Sequence, residues 1–456
     1  MTLLPRRIGL GALAAALLAL PGLALTGAAP AAGAESPPPP AARADNPYDG
    51  ARLYVNPEWS ANARSVPGGA AVAEQPTAVW VERSSAIFGP DVLAGRTMSL
   101  ADHLDEAVAQ GADLIQIVLH GLPNRSCWRL DSDGEWPSGE LHRYRSEFID
   151  PVAELLADPA YASLDVVAVI EPEALSSLVA YTGSRPWTTY PCDQALAGGD
   201  YLQGIAYALD RLGDLPQVHN YLDASHHGLM GWEDNLSPLA EMFVLAATID
   251  GATVHDVHGF VVNTANYGAT EEPYFDIHDV VGGVPVHQSR WVDWNRHIDE
   301  LSYGQAFRQA LIARGFSPDI GMVIDTSRNG WGGPGRPAGS PVTHDVNTYV
   351  DGSRIDRRTN TLQWCNQAGA GLGERPAASP GPAGVDAYAW IKPPGESDGS
   401  DGELLPRDRG ILPDRSCLQV DRWGYATDAL PRSPHRGHWF PEHFARLLAN
   451  AHPPLD

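Results

Sequence analysis

One rhythm constrains this chain more than any other feature. A short apolar run is followed by a polar residue, and then by a segment of helical period. Such runs stand at residues 77–81 (TAVWV), 113–119 (DLIQIVL), 166–170, 218–222, 259–262, 320–324 and 387–391. Each has the length of a buried strand. Helix-period segments at 100–109, 147–156, 200–212 and 303–314 lie between them. Strands alternating with helices imply parallel strands joined by crossovers. Seven strand candidates suggest an α/β fold closed, or nearly closed, into a barrel. The polar residues that follow the runs are His120, Glu171, Asp223, Asn263, Asp325 and Lys392. A closed barrel gathers all of them on one face, the face on which such barrels carry their sites.

The most informative strand end is 165–179, DVVAVIEPEALSSLV. Pro172 disfavours helical angles at Glu171, so the strand ends there and a helix begins at once. Glu171 and Glu173 then sit at the lip of a buried strand, where charge is costly and usually serves a site. The structural alternative places Glu173 in the first helical turn, where it complements the helix dipole.

The rhythm does not begin at the N-terminus. Residues 1–34 read as a secretory signal: Arg6-Arg7, an apolar stretch over 8–25, and Ala32-Gly33-Ala34 as a cleavage site. Small residues and Pro30 after the apolar stretch favour a cleaved leader over an anchor. The arginine pair leaves the general secretory and twin-arginine routes both open. Residues 35–47, with prolines at 37–40, read as a tether or processed leader, and residues 48–456 as one domain. A secreted protein is expected. Formal charge is −25, and the leader carries two of the arginines. That balance argues against nucleic acid or an anionic membrane surface as partner. Cys127, Cys192, Cys365 and Cys417 are an even set in an exported chain, which suggests two disulfides.

No Gly-rich phosphate loop, GxSxG elbow, HExxH or CxxC is present. His226-His227 and His255 with His258 lack a carboxylate at ligand spacing, so no metal is expected. What remains is carboxylates, a few cations and 13 tryptophans, several beside loops, among them Trp59, Trp128, Trp136, Trp187, Trp232, Trp331 and Trp364. Sugar rings stack on indoles while their hydroxyls bond to Asp, Asn, Lys and Arg, so aromatics and carboxylates together suggest a polysaccharide. Any single tryptophan serves equally well as core packing. Two long Gly- and Pro-rich stretches, 329–373 and 393–412, show little strand or helix pattern and read as functional loops.

Several motifs together resemble glycoside hydrolase family 6, a family of cellulases. They are IEPEALSSLV (170–179), YLDASHHGLMGW (221–232), GFVVNTANY (259–267), DTSRNGWGG (325–333), WCNQAGAGLGERP (364–376), DAYAWIKPPGESDG (386–399) and HWFPEHFARLLANAHPPL (438–455). The resemblance runs from about residue 47 to the end. TSRNGWGGPGRP and NTYVDGSRIDRR are similar to the bacterial exocellulases (cellobiohydrolases) of the family. It implies a distorted seven-stranded parallel barrel whose long loops roof the site into a tunnel. It also implies a monomer without a cofactor, acting on cellulose or a related β-glucan.

Residue by residue, the resemblance implies Glu173 as general acid and Asp398 as the debated base. Ser132 positions the water. Lys392 and Glu396 bind the sugar next to the scissile bond, and Asp223 and His226 contact substrate. Asn263 is a further candidate for substrate binding. Arg328 pairs with Asp398. Trp232 and Trp364 are acceptor-side stacking platforms, and Trp59 is one on the donor side. His120 stands where the family has a sugar-distorting tyrosine. Cys127 pairs with Cys192, and Cys365 with Cys417.

The acid corner departs from the family pattern. Glu173 replaces an Asp and is one methylene longer. Ser126, in LPNRSC, replaces a second Asp that assists the acid, and Leu229 replaces an acceptor-side Trp. Two readings follow: an exported inverting β-1,4-glucanase, exo- rather than endo-acting because of the long loops, or an impaired relative that binds glucan or has been retuned to another polysaccharide.

Overall fold

The apolar runs form parallel strands: β1 (Val79–Val81), β2 (Leu114–Leu119), β3 (Asp165–Ile170), β4 (Val218–Asp223), β5 (Gly259–Val262), β6 (Gly321–Asp325) and β7 (Val385–Ala389). The structure is a computed structural model that describes residues 46–129, 134–404, 413–421 and 424–455. The leader, the proline tract and Ser132 lie outside the described residues. Each strand pairs in parallel with the next, from β1 through β7. An eighth strand, Ala377–Ala378, adds antiparallel to the far edge of β7. The sequence pattern did not reveal this two-residue edge.

The sheet curls until its ends meet. No ladder joins β1 to β7, but Ala78 N donates to Trp390 O at 3.1 Å, and Trp80 Nε1 donates to Ile391 O at 2.8 Å. The result is a distorted barrel with a single backbone stitch at its seam.

Alternation along the strands builds two cores. Val118, Val167, Val169, Tyr221, Val261, Val323 and Ala387 fill the interior. Ile117, Leu119, Val166, Ala168, Ile170, Leu222 and Met322 face outward against the helices. Both faces are therefore covered, which is why the strands read as unbroken apolar runs.

Helices Leu100–Gln110, Asp200–Gly213 and Glu300–Ile312 match the helix-period segments within a few residues. The last begins earlier than its apolar pattern because Asp299 caps it, accepting from Ser302 N at 2.8 Å. The 329–373 stretch is not all loop. It holds a helix, Val346–Ser353, capped by Asp345 through Thr348 N at 2.7 Å. The described part of 393–412 has no helix or strand. Both expected disulfides are present, Cys127–Cys192 and Cys365–Cys417.

Candidate active site

A cleft opens at the C-terminal ends of the strands, and of the polar residues that follow them His120 and Lys392 line it. Its wall includes Trp80, Glu82, His120, Glu173, Trp364, Lys392 and Asp398.

At the end of β3 the backbone takes an uncommon course. Glu171 and Glu173 both have positive φ, 48° and 65°, on either side of Pro172. Non-glycine residues in this region store of order 1–3 kcal/mol each, and such strain clusters at functional sites. Here it sends the two carboxylates in different directions. Glu171 is buried and accepts from Gly121 N at 2.9 Å and Leu122 N at 3.3 Å, fixing the turn after β2. Burial pushes its carboxyl up to about 7 despite those donors. Glu173 is the N-cap of helix Ala174–Ala180, outside its first turn, and its side chain makes no capping bond. It faces the cleft instead. Its backbone N is held by Asp223 Oδ2 at 2.9 Å. Burial raises the Glu173 carboxyl, opposed by Arg129, Arg436 and a bond from Trp128 Nε1.

Across the cleft, Asp398 is 4% exposed and shifts the other way. Burial works against its charge, but Arg328 outweighs it, with help from His443, Lys392 and Tyr267. Arg328 Nη1 bonds to Oδ1, while Tyr267 OH at 2.5 Å and Asn366 N at 2.8 Å donate to Oδ2. Two carboxyls on one cleft, one pushed toward its protonated form and one held ionised, is the pattern that separates an acid from its anionic partner.

The floor is a charge network. Lys392 Nζ lies 2.9 Å from Glu396 Oε2 and 5.0 Å from the centre of the Trp80 ring. Glu396 also meets Arg96 at 2.9 Å, and against the cost of burial these two cations hold it below its usual value. His120 packs edge-on against Trp80 at 5.9 Å. Burial drives its imidazole down to about 4, so it is neutral near pH 7. Among the described residues no group of three or more His, Cys, Asp or Glu could hold a metal ion.

Residues 48–451 match the family signature "Glycosyl hydrolases family 6". The chain belongs to this family. Exoglucanase A of Cellulomonas fimi is 42% identical over 435 residues, covering 90% of this chain and 48% of that protein. The chain thus spans about half the length of that relative. The 1,4-beta-D-glucan cellobiohydrolase C of Emericella nidulans is 30% identical over 429 residues, 90% of this chain and 79% of that one. Among solved structures, the catalytic domain of Cellulomonas fimi Cel6B has a TM-score of 0.84 at 41% identity, over 91% of this chain and 97% of that chain. Cellobiohydrolase II from Humicola insolens, in complex with glucose and cellotetraose, has a TM-score of 0.68 at 29% identity, over 90% and 100%.

In this family 6 chain the structure brings together Glu173, Asp398, Lys392, His120 and Trp364 around one cleft, with Asp223, Glu396 and Arg328 directly behind them through the bonds above. Other sequence candidates fall elsewhere. Trp59 is 3% exposed and packs edge-on against Trp390 and Phe444, its Nε1 donating to Pro394 O at 2.9 Å. It belongs to the core, whereas Trp80 lines the cleft together with Trp364. Asn263 is fully buried and staples strand ends, donating to Asp325 O at 2.8 Å and accepting from Gly268 N at 2.9 Å. Its neighbours Thr264 and Ala265 reach the cleft in its place. Trp232 lies outside this wall and donates to Asp293 O at 2.9 Å. His226 is 7% exposed and also outside it.

Sequence reasoning missed Glu82, which joins Arg96 at 3.0 Å, Arg125 at 3.8 Å and Arg436 at 3.7 Å. The signal was available: Glu82 follows the first apolar run as Glu171 follows the third. Arg129 and Arg436 were missed as well, and no local pattern marks them.

Proposed function

We propose that this protein is a secreted inverting β-1,4-glucanase that hydrolyses cellulose or a related β-glucan. It acts as an exo-cellobiohydrolase, as a monomer and without a cofactor. The observation that carries the reading is the pair of carboxyls on one cleft, Glu173 pushed up and Asp398 held down. Glycoside cleavage with inversion asks for that division.

Glu173 carries a proton to the glycosidic oxygen as the bond to the anomeric carbon lengthens. Water adds to the opposite face of the sugar and releases its proton to bulk solvent. The Asp398 carboxylate stabilises the positive charge that develops on the ring. It accepts three hydrogen bonds already, so electrostatic stabilisation suits it better than direct proton abstraction. Trp80 and Trp364 supply apolar faces for sugar rings, and Lys392, Glu396, His120 and Asp223 supply polar contacts.

The reading is tested by incubating the purified protein with amorphous cellulose and cello-oligosaccharides beside Glu173→Gln. Soluble cellobiose from the parent and a loss of at least about 100-fold in the variant are expected. Tight oligosaccharide binding with no sugar released would replace the hydrolase by a glucan-binding relative.

A further inference from the structure

The segment Cys127–Arg129 crosses from the acid to the acceptor platform. Its first residue is fixed by the disulfide to Cys192. The Trp128 indole stacks on Tyr181, with ring centres 5.6 Å apart and planes at 18°. It stands edge-on to Trp364 at 5.5 Å and 87°. In this pose Nε1 lies 3.3 Å from Glu173 Oε2. Arg129 continues the strap, its Cζ 4.6 Å from the centre of the Trp364 ring and its Nη2 2.6 Å from Asp414 Oδ2.

A glutamate has one more side-chain torsion than an aspartate, so its carboxyl needs a second point of support. Ser126, where a second carboxylate is expected from the family pattern, does not provide it: its buried Oγ has no hydrogen-bond partner in the structure. Trp128 does. We propose that Trp128 is the positioning residue of the general acid, its N–H holding Glu173 Oε2 so that the proton rides on Oε1 toward the leaving group. This rests on the reading of Glu173 as the acid.

The chemistry of the indole makes the assignment directional. An indole N–H donates and never accepts, so against a neutral carboxyl it prefers the carbonyl oxygen, the stronger acceptor, over the oxygen that carries the proton. The neutral carboxyl is thereby biased toward the form protonated at Oε1. When that proton moves to the glycosidic oxygen, Glu173 becomes an anion and the same bond becomes charge-assisted and stronger. Trp128 therefore binds the transition state more tightly than the ground state, which lowers the barrier without tightening substrate.

The test compares two leaving groups. Trp128→Phe keeps the stack on Tyr181 and the edge contact with Trp364 but has no N–H. On cellotetraose, whose leaving group needs a proton, kcat should fall about tenfold with KM unchanged. On a dinitrophenyl cellobioside, whose leaving group departs without a proton, the loss should stay within about twofold. In a Glu173→Gln background the Phe substitution should cost nothing further on cellotetraose, because the N–H acts through Glu173. Equal losses on both substrates would mean a structural defect and overturn the proposal. So would an undiminished rate on cellotetraose, or an additive loss in the double variant. A fully active Glu173→Gln would instead remove the acid assignment beneath it.

Discussion

Arg328 and Asp398 form an ion pair from which water is excluded, with side-chain exposures of 0% and 3%. Arg328 also lies against the face of Tyr267, its Cζ 4.3 Å from the ring centre, and Tyr267 donates to the same carboxylate. The three side chains come from the segments that follow β5, β6 and β7. A charge held this way cannot drift with substrate binding, so Asp398 presents a fixed negative field to the cleft.

Removing that charge should damage fold and activity together. Asp398→Asn leaves Arg328 buried without its counter-ion, while its Nε and Nη2 already lack hydrogen-bond partners. Breaking a buried pair on one side costs about 3–5 kcal/mol. Chemical denaturation should show a loss of that size, and cellotetraose turnover should drop by more than about 100-fold. A variant as stable as the parent would mean that the pair is hydrated.

The two tryptophans separated by the structure should behave differently. Trp59→Ala empties a core site and should cost about 3–5 kcal/mol in denaturation, with KM for cello-oligosaccharides unchanged. Trp80→Ala removes an indole from the cleft wall and should raise KM about tenfold. Steady-state kinetics and melting on the two purified variants decide the matter. The reverse pattern would return the donor-side platform to Trp59.

These tryptophans also show how far the sequence can be read. The strands were legible because a sheet covered on both faces leaves unbroken apolar runs. Of the residues after them His120 and Lys392 line the cleft, while Glu171, Asp223, Asn263 and Asp325 are buried and hold the backbone around it. Trp80 was not legible. It sits inside the run TAVWV, where it looks like core, and only the barrel topology shows that its inward face opens onto the cleft. Trp59 misled differently: the resemblance implied a donor-side platform, yet the helix Pro57–Arg64 turns that indole inward. The network around Glu82 draws on Arg96, Arg125 and Arg436, which chain spacing cannot bring together. Trp128 was noticed only as one of several tryptophans beside loops, because its bond to Glu173 depends on where the disulfide to Cys192 holds the strap.

The buried disulfide Cys365–Cys417 should matter to the cleft as well as to stability. It ties the residue after Trp364 to the segment that carries Asp414, and Gly399 packs so closely that an added Cβ would lie 2.9 Å from Cys417 Sγ. The bond closes a separation of 52 residues, worth roughly 4 kcal/mol in the chain-entropy account. Replacing both cysteines by serine should lower stability by about that amount. It should also raise KM for cellotetraose, since Trp364 loses its tether. Unchanged KM with reduced stability would confine the bond to a structural role.

Asp223 offers a pH test with a definite sign. It is 4% exposed, and burial pushes its carboxyl from 3.8 up to about 7, against the backbone N–H groups of Glu173 and Ser225 that it accepts at 2.9 and 3.0 Å. A group whose folded value is raised binds its proton more tightly in the native state. Its contribution to stability is therefore complete below about pH 4 and is lost as pH rises through about 7. An asparagine keeps an oxygen to accept both N–H groups but has no proton to lose. Asp223→Asn should consequently gain on the parent as pH rises: the difference in melting temperature should move steadily in the variant's favour between about pH 4 and about pH 8. Glu171 and Glu272, raised to about 7 and about 8 by burial, keep a similar slope in both proteins and cancel in the difference. Thermal melts across that range on the pair would measure it. A difference that stays flat would show that Asp223 is ionised throughout, and that the N–H groups of Glu173 and Ser225 outweigh its burial.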